Sequence, residues 1–229
     1  MIRPDDAGRI KRFSIAERVS HWVHTFAFFT LFLTGLVAMT PYFAFLAPLF
    51  GGLHNAQIVH RWLAPVFSVC SLAILIIGDW NGFKRWMKSI TDLGKDDFIF
   101  LRDFPQEFMG GHPKLPEQGM FNAGEKMNSI FITLGGGTIL TVTGIIMWFP
   151  EYFPLAVVRW SYPLHSIMAM VSVAAISMHM FMALIHPGSK ESIKGMIYGT
   201  VDRKFAAGHH PKWYREVTGQ NDNRQRETE

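Results

Sequence analysis

Four long runs with almost no charged residues dominate the hydropathy pattern of the chain. Residues 19–40, 129–149 and 163–185 contain no Asp, Glu, Lys or Arg, and residues 56–78 contain only Arg61. Each run is about the length that an α-helix needs to cross roughly 30 Å of hydrocarbon. None of them alternates between apolar and polar positions as a barrel strand does. The pattern therefore predicts an all-α integral membrane protein, a bundle of four transmembrane helices.

Polar segments outside these runs divide the chain into three regions. Residues 1–18 form a basic N-terminal segment, residues 19–186 a four-helix transmembrane domain with a loop over 80–128, and residues 187–229 a polar tail. The charged N-terminus lacks the short apolar core and cleavage site of a signal peptide, so we expect the first run to be retained. A short amphipathic helix is predicted near residues 82–94, and the last ten residues have the composition of disordered chain.

The distribution of basic residues predicts the orientation in the membrane. Of the 22 lysines and arginines, all but Arg61 and Arg159 lie in the N-terminal segment, the 80–128 loop or the tail. The positive-inside rule places such segments in the cytoplasm. We therefore expect both termini to be cytoplasmic, in the inner membrane of a bacterium. The net charge of +4 follows from this orientation and gives no reason to expect a nucleic-acid partner.

The single cysteine, Cys70, lies in the middle of the second run. A disulfide or a thiolate metal cluster within the chain would need more than one cysteine. The C-x-x-C-H motif is also absent from the sequence, which excludes a covalently attached c-type haem.

Four histidines inside or at the rim of the apolar runs are the candidate functional residues. With the predicted topology, His21 and His179 lie near the cytoplasmic side of the membrane, and His60 and His165 lie near the external side. His165 and His179 are fourteen residues apart, just under four helical turns, so they share a face at levels about 21 Å apart. The four residues therefore form two pairs, one at each side.

Such pairs are what two stacked b-type haems require. Ionisable side chains in membrane helices are rare and usually functional, and imidazole is a good ligand for iron. The predicted ligand pairs are His21/His179 and His60/His165. Iron with two axial histidines has no open position, which favours electron transfer over oxygen chemistry.

The other histidines have weaker claims. A single membrane histidine is about as often a packing or hydrogen-bonding residue as a ligand. His24 lies one turn from His21, and we interpret it as a neighbour or as a partner for a haem propionate. Interfacial positions account for His54 and His186. The histidines interpreted as loop residues are His112, His209 and His210.

Two glycines have two open interpretations. Gly35 follows Thr34 in the first run, and Gly144 follows Thr143 in the third. Each glycine would either let the outer haem approach the backbone or serve small-residue packing between helices. The Gly135–Gly137 group is interpreted as packing against a helix or a haem.

Several short motifs, taken in order, resemble the cytochrome b (gamma) subunit of membrane-bound respiratory formate dehydrogenase over nearly the whole chain. The start, with its R-x-x-H-W pattern, and the tail are the most distinctive. The matching segments are Arg12-Phe13, Glu17-Arg18-Val19-Ser20-His21-Trp22, Val59-His60 with Pro65, Phe121-Asn122-Ala123-Gly124-Glu125-Lys126, Leu164-His165-Ser166, Met178-His179 and His209-His210-Pro211-Lys212-Trp213-Tyr214-Arg215-Glu216-Val217.

The resemblance implies a di-haem b protein with the two ligand pairs given above. It also implies a site for menaquinone or ubiquinone beside the cytoplasmic-side haem, which carries over to Asn122, Gly124 and His179. Glu125 stands where a glutamine is common in the family, which would alter proton delivery or quinone preference. Asn122 also has the sequence context of an N-cap for the third membrane helix.

The resemblance further implies a role in anaerobic respiration. An external iron–sulfur (beta) subunit would pass electrons through the two haems to quinone at the cytoplasmic side. Formate chemistry would belong to a separate molybdenum- or tungsten-containing (alpha) subunit, and the heterotrimer could associate further. The alternatives are a cytochrome b anchor of another periplasmic oxidoreductase, of hydrogenase or thiosulfate reductase type, and a haem-free protein that relays protons or transports a solute.

Overall fold

The computed structural model describes residues 8–109, 111 and 113–219. His112 and the last ten residues, for which the sequence predicts a loop position and disorder, lie outside the described residues. The described helices are α1 (Ile15–Met39), α2 (Leu53–Gly78), α3 (Trp80–Thr91), α4 (Lys95–Phe108), α5 (Ala123–Trp148), α6 (Leu155–Leu184), α7 (Ser192–Tyr198), α8 (Arg203–His209) and α9 (Pro211–Thr218). The strands β1 (Arg9–Lys11) and β2 (Thr200–Asp202) and the 3₁₀ segments Pro41–Phe50 and Pro150–Tyr152 complete the regular structure of this part of the chain.

Four of these helices, α1, α2, α5 and α6, are long and apolar enough to cross a membrane. This confirms the predicted all-α architecture with four membrane helices. The amphipathic helix predicted near 82–94 corresponds to α3, which begins two residues earlier. The protein is therefore a multi-pass membrane protein, and the sidedness of its termini stays a prediction.

All four membrane helices begin before the apolar runs that predict them, α5 and α6 by the most residues. Helix α5 begins at Ala123 because Asn122 caps it: the Asn122 Oδ1 atom accepts the Glu125 N–H at 2.9 Å, and a Glu125 carboxylate oxygen accepts the Asn122 N–H at 2.9 Å. This reciprocal capping box satisfies two N–H groups that a helix start leaves free. Helix α6 begins at Leu155 and includes Pro163. Two of the spans contain π-helical turns, at Val66–Cys70 and Ile130–Gly136, which often mark functional positions.

The described residues divide into two compact units. The first, which we call the span unit, consists of residues 15–80 and 131–178. In its interior Ala27 and Phe28 of α1 pack against Phe67 of α2. The Ser20 hydroxyl also donates to the Ser71 carbonyl at 2.6 Å, so α1 and α2 are joined by both apolar and polar contacts.

The second unit, which we call the basic unit, consists of the described parts of residues 1–14, 81–130 and 179–229. Here β1 and β2 form a small antiparallel sheet that the sequence did not predict, with Ile10 paired to Val201. Both side chains are fully buried because they face the same core. The buried residues of this core are Ile10, Phe13, Met120, Val201, Phe205, Ala206, Trp213 and Tyr214. The N-terminal segment, the loop before α5 and the tail therefore share one apolar core.

Candidate functional site

In the span unit, the structure brings His60 and His165 together. Their ring centroids are 6.3 Å apart, with an angle of 60° between the ring planes. Two imidazoles that bind one metal ion from opposite sides, through bonds of about 2 Å, have ring centroids roughly 6 Å apart. The measured separation fits a single iron atom between the two rings.

The His60–His165 pair suits an iron atom that already has ligands from a cofactor. Among the described residues, no three His, Cys, Asp or Glu side chains are grouped so as to hold a bare metal ion. Iron in a porphyrin already has four equatorial nitrogens and needs only axial ligands from the protein. Two imidazoles at this spacing supply those axial ligands.

Each of the two imidazoles is held by a threonine hydroxyl. The His60 Nδ1 atom lies 3.0 Å from the Thr34 Oγ1 atom of α1, and the His165 Nδ1 atom lies 2.8 Å from the Thr143 Oγ1 atom of α5. Both threonines are buried, with 0% and 3% of their surface exposed. A histidine that binds metal through one ring nitrogen usually donates a hydrogen bond from the other.

The direction of the hydroxyl hydrogen bonds shows which nitrogen of each imidazole carries the proton. The Thr34 hydroxyl donates to the Thr30 carbonyl at 2.8 Å, and the Thr143 hydroxyl donates to the Ile139 carbonyl at 2.6 Å. Each hydroxyl has a single proton, so toward the histidine its oxygen can only accept. We infer that Nδ1 carries the proton in His60 and in His165, which leaves each Nε2 lone pair available to a metal.

The glycines that follow these threonines lie beside the same imidazoles. A methyl group added at Gly35 would lie 3.4 Å from His60 Cε1, and one added at Gly144 would lie 3.6 Å from His165 Cε1. Both distances are ordinary van der Waals contacts, so each glycine borders its imidazole closely. This contact is compatible with both interpretations, approach of a haem to the backbone and small-residue packing between helices, and both stay open.

We expect Gly35→Ala to retain normal haem content and Gly35→Leu to lower it. The alanine methyl fits beside His60, whereas a leucine side chain must displace the imidazole and move Nε2 away from the iron. The measurement is haem per purified protein. Gly208→Leu is the control, because no other described atom lies within 4 Å of a methyl group added there. Equal haem content in both Gly35 variants would contradict a tight fit between residue 35 and the His60 imidazole.

His21 and His24 lie one turn apart on α1 in the span unit. The His21 ring packs edge-on against Trp22, with centroids 5.1 Å apart. His24 stacks on Phe67 at 4.3 Å, and its Nδ1 atom lies 3.4 Å from the Ser71 hydroxyl. The His24 Nε2 atom is buried without a hydrogen-bond partner among the described residues. These contacts agree with the interpretation of His24 as a neighbour of His21.

The predicted quinone residues and His179 belong to the basic unit. Asn122 and Gly124 lie at the start of α5, and the Asn122 side chain is an N-cap, as its sequence context suggests. Glu125 interacts electrostatically with His179. His21 and His179 fall in different units, so their pairing stays a prediction, as does the quinone role of Asn122 and Gly124.

His210 lies between α8 and α9, at a loop position as expected from the sequence, but its side chain belongs to the core of the basic unit. His209, also expected in a loop, is the last residue of α8. Only 1% of the surface of His210 is exposed, and its Nδ1–H donates to the Gly119 carbonyl at 2.7 Å. Burial and the neighbouring Arg12 cation lower the pKa of His210 to about 4. Burial also lowers the pKa of His209, although less of that side chain is enclosed.

We expect the protein to lose stability as the pH falls from about 6.5 to about 4. The unfolded chain binds a proton near the ordinary histidine pKa, whereas folded His210 does not until the pH reaches about 4, so protons favour unfolding in this window. By linkage, the contribution of His210 to the free energy of unfolding is on the order of 2 kcal/mol smaller at pH 5 than at pH 8.

The measurement is the thermal unfolding of the purified complex in detergent at both pH values. His210→Asn is the matched variant, because it can still donate to Gly119 but does not titrate. Its stability should change less with pH than that of the wild type. An identical pH dependence of the two proteins would contradict the assignment to His210.

Sequence reasoning missed the roles of Thr34 and Thr143. The available signal was the Thr-Gly dipeptide, which occurs as Thr34-Gly35 in α1 and as Thr143-Gly144 in α5. The first threonine contacts His60 and the second contacts His165. The meaning of the dipeptide depends on contact with another helix, which the order of residues along the chain does not give.

Comparisons with known proteins show the family of the chain. A family model described as prokaryotic cytochrome b561 matches residues 12–199. The match includes all four predicted ligands, the two threonines and the Asn122–Glu125 capping box.

Three characterised relatives are similar over almost the whole chain. The cytochrome b556(Fdn) subunit of the nitrate-inducible formate dehydrogenase of Escherichia coli K12 is 34% identical over 212 residues, 91% of each chain. The formate dehydrogenase cytochrome b556 subunit of Haemophilus influenzae is 33% identical over 91% of this chain and 83% of its own length. The cytochrome b556(fdo) subunit of Escherichia coli K12 formate dehydrogenase is 30% identical over 91% of this chain and 93% of its own length.

Proposed function

Because the chain belongs to the prokaryotic cytochrome b561 family, we propose that it is the di-haem cytochrome b subunit of a formate dehydrogenase that reduces quinone. The names of the three relatives support the choice of enzyme, and the matches cover at least 83% of each relative's length. The observation in this chain that carries the proposal is the His60–His165 pair at 6.3 Å.

In this proposal, His60 and His165 are the axial ligands of one haem b. The bound haem supplies reversible one-electron chemistry at its iron. Thr34 and Thr143 hold the two rings by their Nδ1–H groups, so each Nε2 atom would stay available to the iron. Held in this way, neither ring would be free to turn away from a bound haem.

The second haem b is assigned to His21 and His179 near the cytoplasmic side. Quinone, either menaquinone or ubiquinone, is assigned to the neighbourhood of Asn122, Gly124 and His179. There it takes up two electrons and two protons per molecule. An electron source outside the membrane and proton uptake from the cytoplasm would together separate charge across it.

The same assignment implies the membrane in which the chain lies and the subunits with which it assembles. The chain would lie in the bacterial inner membrane with both termini in the cytoplasm. It would assemble with an external iron–sulfur subunit and a molybdenum- or tungsten-containing subunit that oxidises formate, and this heterotrimer could associate further. The chain would act as the electron-transfer subunit of the enzyme and carry out no formate chemistry.

The test is to purify the chain together with the subunits encoded beside it and to measure haem and activity. We expect two haems b per chain, both reduced by formate and both reoxidised by a quinone analogue. A complex without b-type absorption bands would overturn the haem assignment. Haem reduction by hydrogen, or oxidation of the reduced haems by thiosulfate, in a complex whose haems formate does not reduce would overturn the choice of enzyme.

A further inference from the structure

Arg12 lies at the centre of the basic unit, where three of its segments meet. Its guanidinium is almost completely enclosed, with 1% of the side chain exposed. The Nη2 atom donates to the Met120 carbonyl at 2.7 Å and contacts both carboxylate oxygens of Glu125 at 3.2 and 3.3 Å. The ring of Trp213 from the tail lies 6.0 Å from the guanidinium carbon. A buried arginine is stable only when its charge is paired, so Glu125 is held at this position.

Glu125 is at the same time bound to the loop that contains Asn122. One of its carboxylate oxygens accepts the Asn122 N–H, and the Asn122 Oδ1 atom accepts the Glu125 N–H, both at 2.9 Å. Nearby, His210 donates to the Gly119 carbonyl at 2.7 Å. The loop from Gly119 to Glu125 is therefore fixed by side chains from the N-terminal segment and from the tail.

This network leaves one polar group of Asn122 unused. The Oδ1 atom is the helix cap, whereas the side-chain NH₂ group makes no hydrogen bond to a described residue. An amide NH₂ is a donor suited to a carbonyl oxygen, which is the group that a quinone presents. The direction of this donor depends on both halves of the capping box: the Glu125 backbone N–H binds the Asn122 Oδ1 atom, and the Glu125 carboxylate holds the Asn122 backbone.

We propose that the Arg12–Glu125 ion pair is the positioning element of the cytoplasmic quinone site. Arg12 holds Glu125, and Glu125 orients the Asn122 amide for the quinone carbonyl and places a carboxylate near His179. The proposal rests on the proposed function, which assigns quinone to Asn122, Gly124 and His179. It assigns roles to Arg12 and Glu125, which act through Asn122 and His179 without touching the quinone themselves.

The negative charge of Glu125 is what distinguishes it from a glutamine at the same position. Glutamine has the same shape and can still accept the Asn122 N–H, but it cannot pair with the Arg12 charge. A carboxylate is a stronger partner for a buried guanidinium than a neutral amide is. Its charge also favours the oxidised state of an iron bound to His179, because that state is the more positive one.

The first test measures quinone reduction by the intact complex in three variants: Arg12→Met, Glu125→Gln and the double variant. We expect each single variant to raise the KM for quinone between roughly tenfold and a hundredfold, the range that a small displacement of a positioning group produces. We expect kcat to change less. The double variant removes the unpaired buried charge and should regain the thermal stability of the wild type, while its KM stays high.

A purely structural role predicts a different result for the double variant. If the ion pair only stabilises the fold, KM should return to the wild-type value together with the melting temperature. That outcome would overturn the proposal.

The second test measures the midpoint potentials of the two haems in Glu125→Gln. We expect the component assigned to His21/His179 to shift to higher potential and the other component to stay unchanged. The control is Glu191→Gln, which removes a carboxylate paired with Arg9 at 3.3 Å in the same unit but is not bonded to Asn122. Unchanged potentials for both haems in Glu125→Gln would refute the placement of its charge near His179.

Asn122→Ala distinguishes a failure of the quinone site from a failure of the positioning role of the Arg12–Glu125 ion pair. If Asn122→Ala leaves the KM for quinone unchanged, the quinone site of the proposed function is wrong. If Asn122→Ala raises KM but Arg12→Met and Glu125→Gln do not, the quinone site stands and the positioning role of the ion pair is wrong.

Discussion

Replacing His60 with alanine is expected to remove one of the two haems, and replacing His165 with alanine is expected to remove the same one. The two rings are 6.3 Å apart, and in the proposed assignment both ligate one iron, so either substitution would leave that iron with a single protein ligand. His21→Ala and His179→Ala are expected to remove the other haem. The measurement is the haem content per chain and the optical and potentiometric spectra, in which one of two components should disappear.

His54→Ala is the control for this prediction, because His54 lies on α2 with His60 but is exposed. It should retain both haems. The ligand assignment is wrong if His60→Ala and His165→Ala remove different components, or if either variant retains two haems with unchanged spectra.

Replacing both threonines, in Thr34→Val/Thr143→Val, is expected to weaken binding of the same haem strongly without removing a ligand. Valine has nearly the shape of threonine but no oxygen, so both imidazoles lose the acceptor of their Nδ1–H groups. Loss of one such partner typically costs roughly 10- to 100-fold in metal affinity, and the two losses act on one iron. Haem retention during dilution in detergent measures the effect.

Serine distinguishes the hydrogen bond from packing at these positions. Thr34→Ser/Thr143→Ser keeps both hydroxyls and should retain haem nearly as well as the wild type. If the valine variant retains haem better than the serine variant, the methyl groups and not the hydroxyls hold the rings.

The membrane helices could be predicted from the sequence because their signal is local. An uncharged run of twenty or more residues is unfavourable in water and favourable in lipid, whatever the rest of the chain does. The ends of these helices were less predictable. Helix α5 extends back to Ala123, through Glu125 and Lys126, because Asn122 and Glu125 cap each other, and this advantage outweighs the polarity of those residues.

Motifs that lie far apart along the chain come together in the folded protein, which their order in the sequence does not suggest. Arg12, Glu125 and Trp213 belong to three separate motifs, yet all three meet in the basic unit. The sequence interpretation treated His210 only as a loop residue. Its burial follows from the shared core, which no single segment reveals.

The sequence by itself determined the four membrane helices, and it predicts the level of each candidate histidine and two ligand pairs. These properties depend on hydrophobic length and on helical rise, both of which are read along one segment. Only the tertiary structure decided which groups hold those residues in place. The Thr34–His60 and Thr143–His165 contacts join residues 26 and 22 positions apart, and the Arg12–Glu125 pair joins residues 113 positions apart. Such contacts depend on how separate helices and loops pack, and a hydroxyl or a carboxylate becomes a positioning group only when packing brings its partner within hydrogen-bond distance.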